Sequence, residues 1–174
     1  MRKSRFMKRR SFPFIFIGLV AISALAQPAT RPGFRSYPAT VDKARVSAIN
    51  FKNNPGARTM RTRLTEALNG GVNFAGHYIV AGWGCGTGCI SGAIIDARTG
   101  NVLWPLPLNA LGVWYAGDSY VKDPVEYRKN SRLLIIRGSP GVKDNEQEKP
   151  NGEYYYVWTG SDLRQVKFIP YKTN

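Results

Sequence analysis

Residues 73–100 read NFAGHYIVAGWGCGTGCISGAIIDARTG, and this stretch decides the fold. His77 to Trp83 and Ile90 to Ala97 are runs of aliphatic and aromatic residues on either side of a glycine-rich turn, the composition of two strands. Cys85 and Cys89 are the only two cysteines in the chain. If they face each other across a hairpin, His77 pairs with Ala97, Ile79 with Ile95, Ala81 with Ala93 and Trp83 with Ser91. Side chains alternate along a strand. One face then carries His77, Ile79, Ala81, Trp83, Ala93 and Ile95; the other carries Tyr78, Val80, Ile94 and Asp96. Both faces are largely apolar, so the hairpin is expected to be central in the sheet or covered on both sides. Asp96 to Gly100 (DARTG) reads as a tight turn in which Asp96 bonds to turn amides.

The same texture continues outward. Asn101 to Trp104 reads as a third strand, ended by Pro105 and Pro107. Val113 to Ala116 reads as a short fourth. Arg132 to Gly138 (RLLIIRG) is a continuous apolar run of the buried-strand type. Glu153 to Thr159 and Leu163 to Ile169 flank Gly160-Ser161-Asp162, a hairpin signal. Lys143 to Gly152 reads as an exposed loop. Before the hairpin, Val46 to Phe51 suggests a short strand and Asn53-Asn54-Pro55-Gly56 a turn. Ala57 to Leu68 is the one helix expected. Ala57, Met60, Leu64, Ala67 and Leu68 recur at helical spacing, and Gly70-Gly71 supplies the stop. The expected class is therefore mainly β (α+β): an antiparallel sheet of about six strands with one N-terminal amphipathic helix.

The chain has 174 residues and a formal net charge of +14, from 25 Lys and Arg against 11 Asp and Glu. That charge invites a nucleic-acid reading, which the N-terminus removes. Arg2, Lys3, Arg5, Lys8, Arg9 and Arg10 precede an apolar run from Phe12 to Leu25, which ends in the small-x-small motif Ala24-Leu25-Ala26. These are the parts of a secretory signal peptide spanning residues 1–26. The apolar run is short for a permanent span of a hydrocarbon core about 30 Å thick, so no transmembrane anchor is expected after cleavage. Without those six cations, 19 remain of the 25, against 11 acidic residues. Residues 27–40, with Pro28, Pro32 and Pro38, read as an extended lead or tether to a single β-rich domain over 41–174. Arg45, Lys52, Arg58, Arg61 and Arg63 gather much of the remaining excess, a candidate patch for an anionic partner.

Export favours an oxidising compartment, in which Cys85 and Cys89 are expected to form a disulfide. Loop-closure entropy gives a ring of five residues about 2 kcal/mol, so the bond fixes a turn more than it holds the fold. Zinc would find at most Cys85, Cys89, His77 and Asp96, without a second Cys/His pair, so no metal and no cofactor are expected. Distance counts against a Cys nucleophile with His77 as base, since eight strand residues span about 27 Å and only a sharp bend at Gly76 or Gly82, or a His from another chain, would close the gap. The glycine loop with Thr87 can offer amides to an anion, but it lacks the Lys of a phosphate loop. Trp83, Trp104, Trp114 and Trp158 suit core or cross-strand pairing; two or three exposed together would form a binding platform.

The motifs NFAGHY, WGCGTGC and GAIIDARTG resemble a group of small exported bacterial proteins of unknown function. The resemblance covers about 30 residues strongly and about 110 weakly. It implies export and a signature of His77, Trp83, Cys85, Cys89, Asp96 and Gly100, and it assigns none of them a role. The candidate site is His77, Trp83, Thr87 and Asp96 beside the disulfide. The leading expectation is a non-enzymatic periplasmic or secreted binding or inhibitor module, its partner an envelope protein, a peptide or an anionic glycan rather than nucleic acid. The alternatives are a thiol-dependent oxidoreductase or hydrolase using Cys85 or Cys89, and an immunity-type protein against an envelope toxin.

Overall fold

Alternating apolar residues on both sides of the glycine turn close into a hairpin at one end of the sheet rather than at its centre, with the strand before the turn as the edge strand. The computed structural model describes residues 30–43, 45–113, 115–116, 119–121 and 123–172. The expected signal segment and Trp114 lie outside the described residues. β1 (Tyr78–Gly86) and β2 (Cys89–Asp96) pair antiparallel, with Ile79 opposite Ile95, Ala81 opposite Ala93 and Trp83 opposite Ser91. This is the register expected from the cysteines. It slips only at the tip, between Gly84 and Gly86.

Among the described residues the sheet has eight strands rather than about six. β3 (Val102–Leu103) and β4 (Leu111–Val113) both pair with β2. β5 (Tyr115–Ala116) and β6 (Ser119–Tyr120) form a separate two-stranded hairpin. β7 (Val125–Tyr127) and β8 (Leu133–Ser139) pair with each other. β9 (Gly152–Trp158) and β10 (Leu163–Pro170) complete the order β1-β2-β4-β8-β9-β10. All pairings among the described residues are antiparallel.

Both faces of the sheet are covered. On one face Phe74, Val80, Ile94, Leu111, Leu134, Ile136, Tyr154, Tyr156 and Trp158 form a single cluster that joins β1 to β9. The Tyr78 ring meets Trp158 edge-on at 5.1 Å, and its hydroxyl donates to the Gly160 carbonyl at 3.4 Å. The sheet therefore coils until side chains of β1 reach β9, as strand twist favours. On the other face Ala57, Leu64 and Leu68 pack against Ile79, Ala81, Ala93 and Ile95. The helix face is the one expected from its spacing, and the hairpin face is one of the two apolar faces expected from the register.

The helix itself is shorter than expected, and irregular chain precedes it. Pro55–Met60 forms a 3-10 turn, and the α-helix α1 spans Arg61–Gly70. Pro55 takes the first position of the turn, where its missing N–H costs nothing. Gly71, at φ +82°, ends the helix. Val46 to Phe51 is not a strand. It bends at Ser47 and Ala48, while Val46 N–H donates to Ala97 O and Asn50 N–H to Gly100 O.

The described part of the Pro-rich lead is not a tether. From Arg31 onward it belongs to the same compact unit as the sheet. Phe34 and Tyr37 pack on Leu133, Ile135, Tyr155 and Val157. The Ser131 hydroxyl, 1 % exposed, lies 2.8 Å from Phe34 O and 2.9 Å from Tyr37 O. Arg31 Nε donates to Glu153 at 2.8 Å. The Pro residues set an extended path, and side chains about a hundred residues later hold it down.

Candidate functional site

The two cysteines bond, with Cα atoms 5.2 Å apart, and no described cysteine is free. Gly86 and Gly88 lie at φ +143° and +66°, the left-handed geometry that the small ring requires of its turn. Thr87 sits exposed between them.

The rest of the expected site does not gather there. His77 is not on the strand but in the turn before it. Its Nε2 comes within 3.8 Å of Asp96 Oδ1, whereas strict alternation would have put the two side chains on opposite faces. Alternation does not apply because the chain has not yet entered β1 at His77. Asp96 accepts the Arg98 N–H at 2.8 Å and the Thr99 hydroxyl at 3.0 Å, the expected turn contacts. Arg98 in turn donates to Asp42 at 2.5 and 2.8 Å. Burial holds the His77 imidazole below its ordinary range and Arg98 pushes the same way, against Asp96 and Asp42. This network stands at the far end of β1 from the disulfide. The seven residue steps from Tyr78 to Cys85 span about 24 Å.

Trp83 is half-buried on the face covered by α1, and meets Trp104 edge-on at 5.9 Å. Trp104 is 48 % exposed, whereas Trp158 and Tyr154 to Tyr156 are core residues. Arg45, Lys52, Arg58, Arg61 and Arg63 are all exposed. Arg61 lies 4.3 Å over the Phe51 ring, and Arg63 is 3.6 Å from Glu66.

A feature unrecognised in the sequence lies beside the disulfide. A cavity of about 530 Å³ opens over Gly82, Gly84 and Gly92, walled by Leu108, Leu111, Val125 and Tyr127. Its cause is periodicity. Even-numbered positions of β1 and β2 face the coiled interior, where Tyr78, Val80 and Ile94 fill the space. Further along the same face stand Gly82 and Gly84, and Gly82 pairs with Gly92. Three successive places on that face therefore have no side chain. A Cβ at Gly84 would meet nothing within 4 Å, and one at Gly82 only Ser91 O at 4.0 Å. Asp123 stands exposed among the lining residues. Burial raises the Tyr127 pKa above the ordinary phenol range, so the hydroxyl stays neutral. The alternate glycines 82, 84 and 86, read in the cysteine register, were the available signal.

Fold and site together define a mainly antiparallel β domain with a disulfide-pinned, glycine-floored pocket. No family model, curated protein or solved structure matches the chain.

Proposed function

We propose that the protein is an exported, non-enzymatic binding module of the periplasm or extracellular medium, which seats an apolar group of its partner in the pocket over Gly82, Gly84 and Gly92. The supporting observation is that empty face. Protein interiors are close-packed, and a strand face that withholds three side chains beside apolar walls leaves a concavity of ligand size. Export is supported by the basic and apolar N-terminal segment together with the disulfide. The resemblance to small exported bacterial proteins points the same way. Thiol chemistry is disfavoured, because the disulfide takes up both thiols and His77 stands at the opposite end of β1.

The pocket is tested with side-chain analogues. Amide NMR spectra of the purified protein are titrated with indole, p-cresol and isobutanol. Shifts are expected at Gly82, Gly84, Gly92, Val125 and Tyr127, and Gly84→Leu should abolish them by filling the space. An unmoved set of these amides with all three probes rejects the pocket. Export is tested separately by N-terminal mass analysis of the chain recovered from the envelope of an expressing bacterium. Gln27 is the expected first residue, and an uncleaved chain confined to the cytosol rejects export.

A further inference from the structure

The hydrogen bonds of β1 divide it into two halves. In an antiparallel pair the N–H and C=O of one residue point the same way, and successive residues alternate. Tyr78 exchanges both groups with Phe74. Val80 N–H donates to Asn73 Oδ1 at 2.8 Å, and Val80 O accepts from Asn73 Nδ2 at 3.2 Å. The even residues of β1 therefore point away from β2, at the edge of the sheet. There the first two are capped, one by backbone and one by a carboxamide that imitates backbone. Gly82 and Gly84 come next in the same row. Both are exposed, and their edge groups meet no hydrogen-bond partner among the described residues.

An exposed strand edge is a template for another extended chain, and proteins usually protect it. The opposite end of the sheet shows such protection. β10 carries Arg164 and Lys167, a bulge between Gln165 and Lys167, and a terminal Pro170. At Gly82 and Gly84 no such device stands among the described residues, and glycine gives an approaching backbone its closest access. The open half of the edge is also the half that floors the apolar pocket.

We infer that the ligand is an extended segment of another polypeptide, which adds as a strand along Gly82–Gly84 and lowers an apolar side chain into the pocket. This rests on the binding reading above and names its partner. Unpaired donors and acceptors alternating along a strand edge are complementary to peptide backbone. Alternation of the added strand turns one side chain toward Leu108, Leu111 and Val125 and its neighbours toward Trp83 and the exposed Trp104. Charge selects against a second copy, since the exported chain without its signal segment keeps 19 of the 25 Lys and Arg against 11 Asp and Glu, and two copies would bring like net charges together. The preferred segment is therefore neutral or acidic, with apolar residues at alternate positions.

The experiment selects a random displayed peptide library on the purified protein and resynthesises the winners with single N-methyl groups along the backbone. Strand addition predicts that methylation weakens binding at least tenfold at alternate positions only. It also predicts that Gly84→Pro, which removes an edge N–H outside the β1–β2 ladder, weakens binding at least tenfold, and that Gly84→Leu does the same by filling the pocket. The N-methyl pattern is read on the ligand, so it holds even if a variant folds poorly. Peptides that lose affinity in Gly84→Leu yet ignore Gly84→Pro and show no alternation overturn strand addition while leaving the pocket in place. A library that yields no binder also overturns it, and pocket occupation by indole or p-cresol in the same preparation would confine that failure to the peptide inference. A dimer of the wild type that Gly84→Pro converts to monomer overturns the choice of partner.

Discussion

Tyr154, Tyr155 and Tyr156 are consecutive in β9, all 2 % exposed or less, and differ in what their hydroxyls meet. Tyr154 donates to Pro150 O at 2.5 Å, and Tyr155 donates to Glu153 Oε2 at 2.7 Å. The Tyr156 hydroxyl is buried without a partner among the described residues. Burial pushes its pKa well above the ordinary phenol value, and burial with the Glu153 contact pushes Tyr155 up to about 12. Phenylalanine at each position removes one oxygen and little else. A hydrogen bond to a neutral acceptor contributes about 1 kcal/mol, one to a charged acceptor about 1.5–3, and an unpartnered buried polar group costs about 1–3. Tyr155→Phe should therefore destabilise by about 2 kcal/mol and Tyr154→Phe by about 1. Tyr156→Phe should stabilise by about 1, the low end, because the lost oxygen leaves a small void. A unit of roughly 145 residues shifts its melting temperature by about 3 °C per kcal/mol, so the expected changes are about −6, −3 and +3 °C. Thermal melts followed by near-ultraviolet circular dichroism, with urea titrations alongside, read all three. A loss of 3 °C or more in Tyr156→Phe would refute the reasoning, as would a Tyr155→Phe variant as stable as wild type.

The remaining predictions concern the ring, the backbone, pH and the basic surface. Replacing Cys85 and Cys89 together by Ser should cost about 2 kcal/mol and leave the fold intact, because the ring closes only five residues; complete unfolding at 25 °C would show that the bond holds more than its turn. Gly76 lies at φ +88° with Thr40 O only 2.3 Å from where a Cβ would stand, so Gly76→Ala should cost about 2 kcal/mol or more in urea unfolding, and a neutral outcome rejects that close approach. The native His77 pKa lies below its ordinary 6.5, so the unfolded chain binds that proton more readily and stability should fall as pH drops below 6.5. His77→Gln should flatten that segment of the urea-midpoint profile, and an unchanged slope excludes His77 as its cause. Burial works against the Glu153 charge, but Tyr155, Arg31 and Arg137 hold its pKa below 4.5. Its contribution should be present above 4.5 and lost as pH falls through the native value, and Glu153→Gln should remove that loss. If Arg45, Lys52, Arg58, Arg61 and Arg63 bind an anionic polymer, retention on a polyanionic matrix should weaken between about 50 and 200 mM salt and drop in Arg58→Glu/Arg61→Glu; salt-independent retention speaks against the patch.

The parts of the molecule legible in its sequence are those whose causes are local. Two cysteines four residues apart and a period of two were enough to pair Ile79 with Ile95 and Trp83 with Ser91, because both rules act within one hairpin. The helix face was readable for the same reason: Ala57, Leu64 and Leu68 recur at one spacing. Distant residues decide the rest. Nothing in the Pro-rich lead reveals that Ser131 and Glu153 will hold it to the sheet. β7 has three residues behind Pro124, too few to show a period, and exists because Leu134 to Ile136 offer it an edge. His77 was misplaced by one residue of turn, which sufficed to bring it beside Asp96.

The glycines connect the ring to the pocket. Each glycine in a strand interior costs roughly 0.5–1 kcal/mol, so Gly82, Gly84 and Gly92 together remove roughly 1.5–3 kcal/mol from the hairpin just where they empty its inner face. The five-residue disulfide ring returns about 2 kcal/mol at the adjoining tip. The two magnitudes match closely enough to explain why a bond of modest strength stands at this place. A hairpin filled by valine or isoleucine at 82 and 84 would hold its register through its own side chains and would leave little cavity over its floor, whereas Gly92 has no room for one, since a Cβ there would stand 2.8 Å from Ala81 O. With glycine there, the covalent link keeps the register while the strand stays bare, and the same choice leaves Gly82 and Gly84 free to pair with a chain from outside. On this reasoning Gly84→Val should raise stability in the double Cys→Ser background more than in the disulfide-bonded protein, because only the former lacks another device to hold the tip. Equal effects in the two backgrounds, measured as a double-mutant cycle in urea, would separate the ring from the pocket.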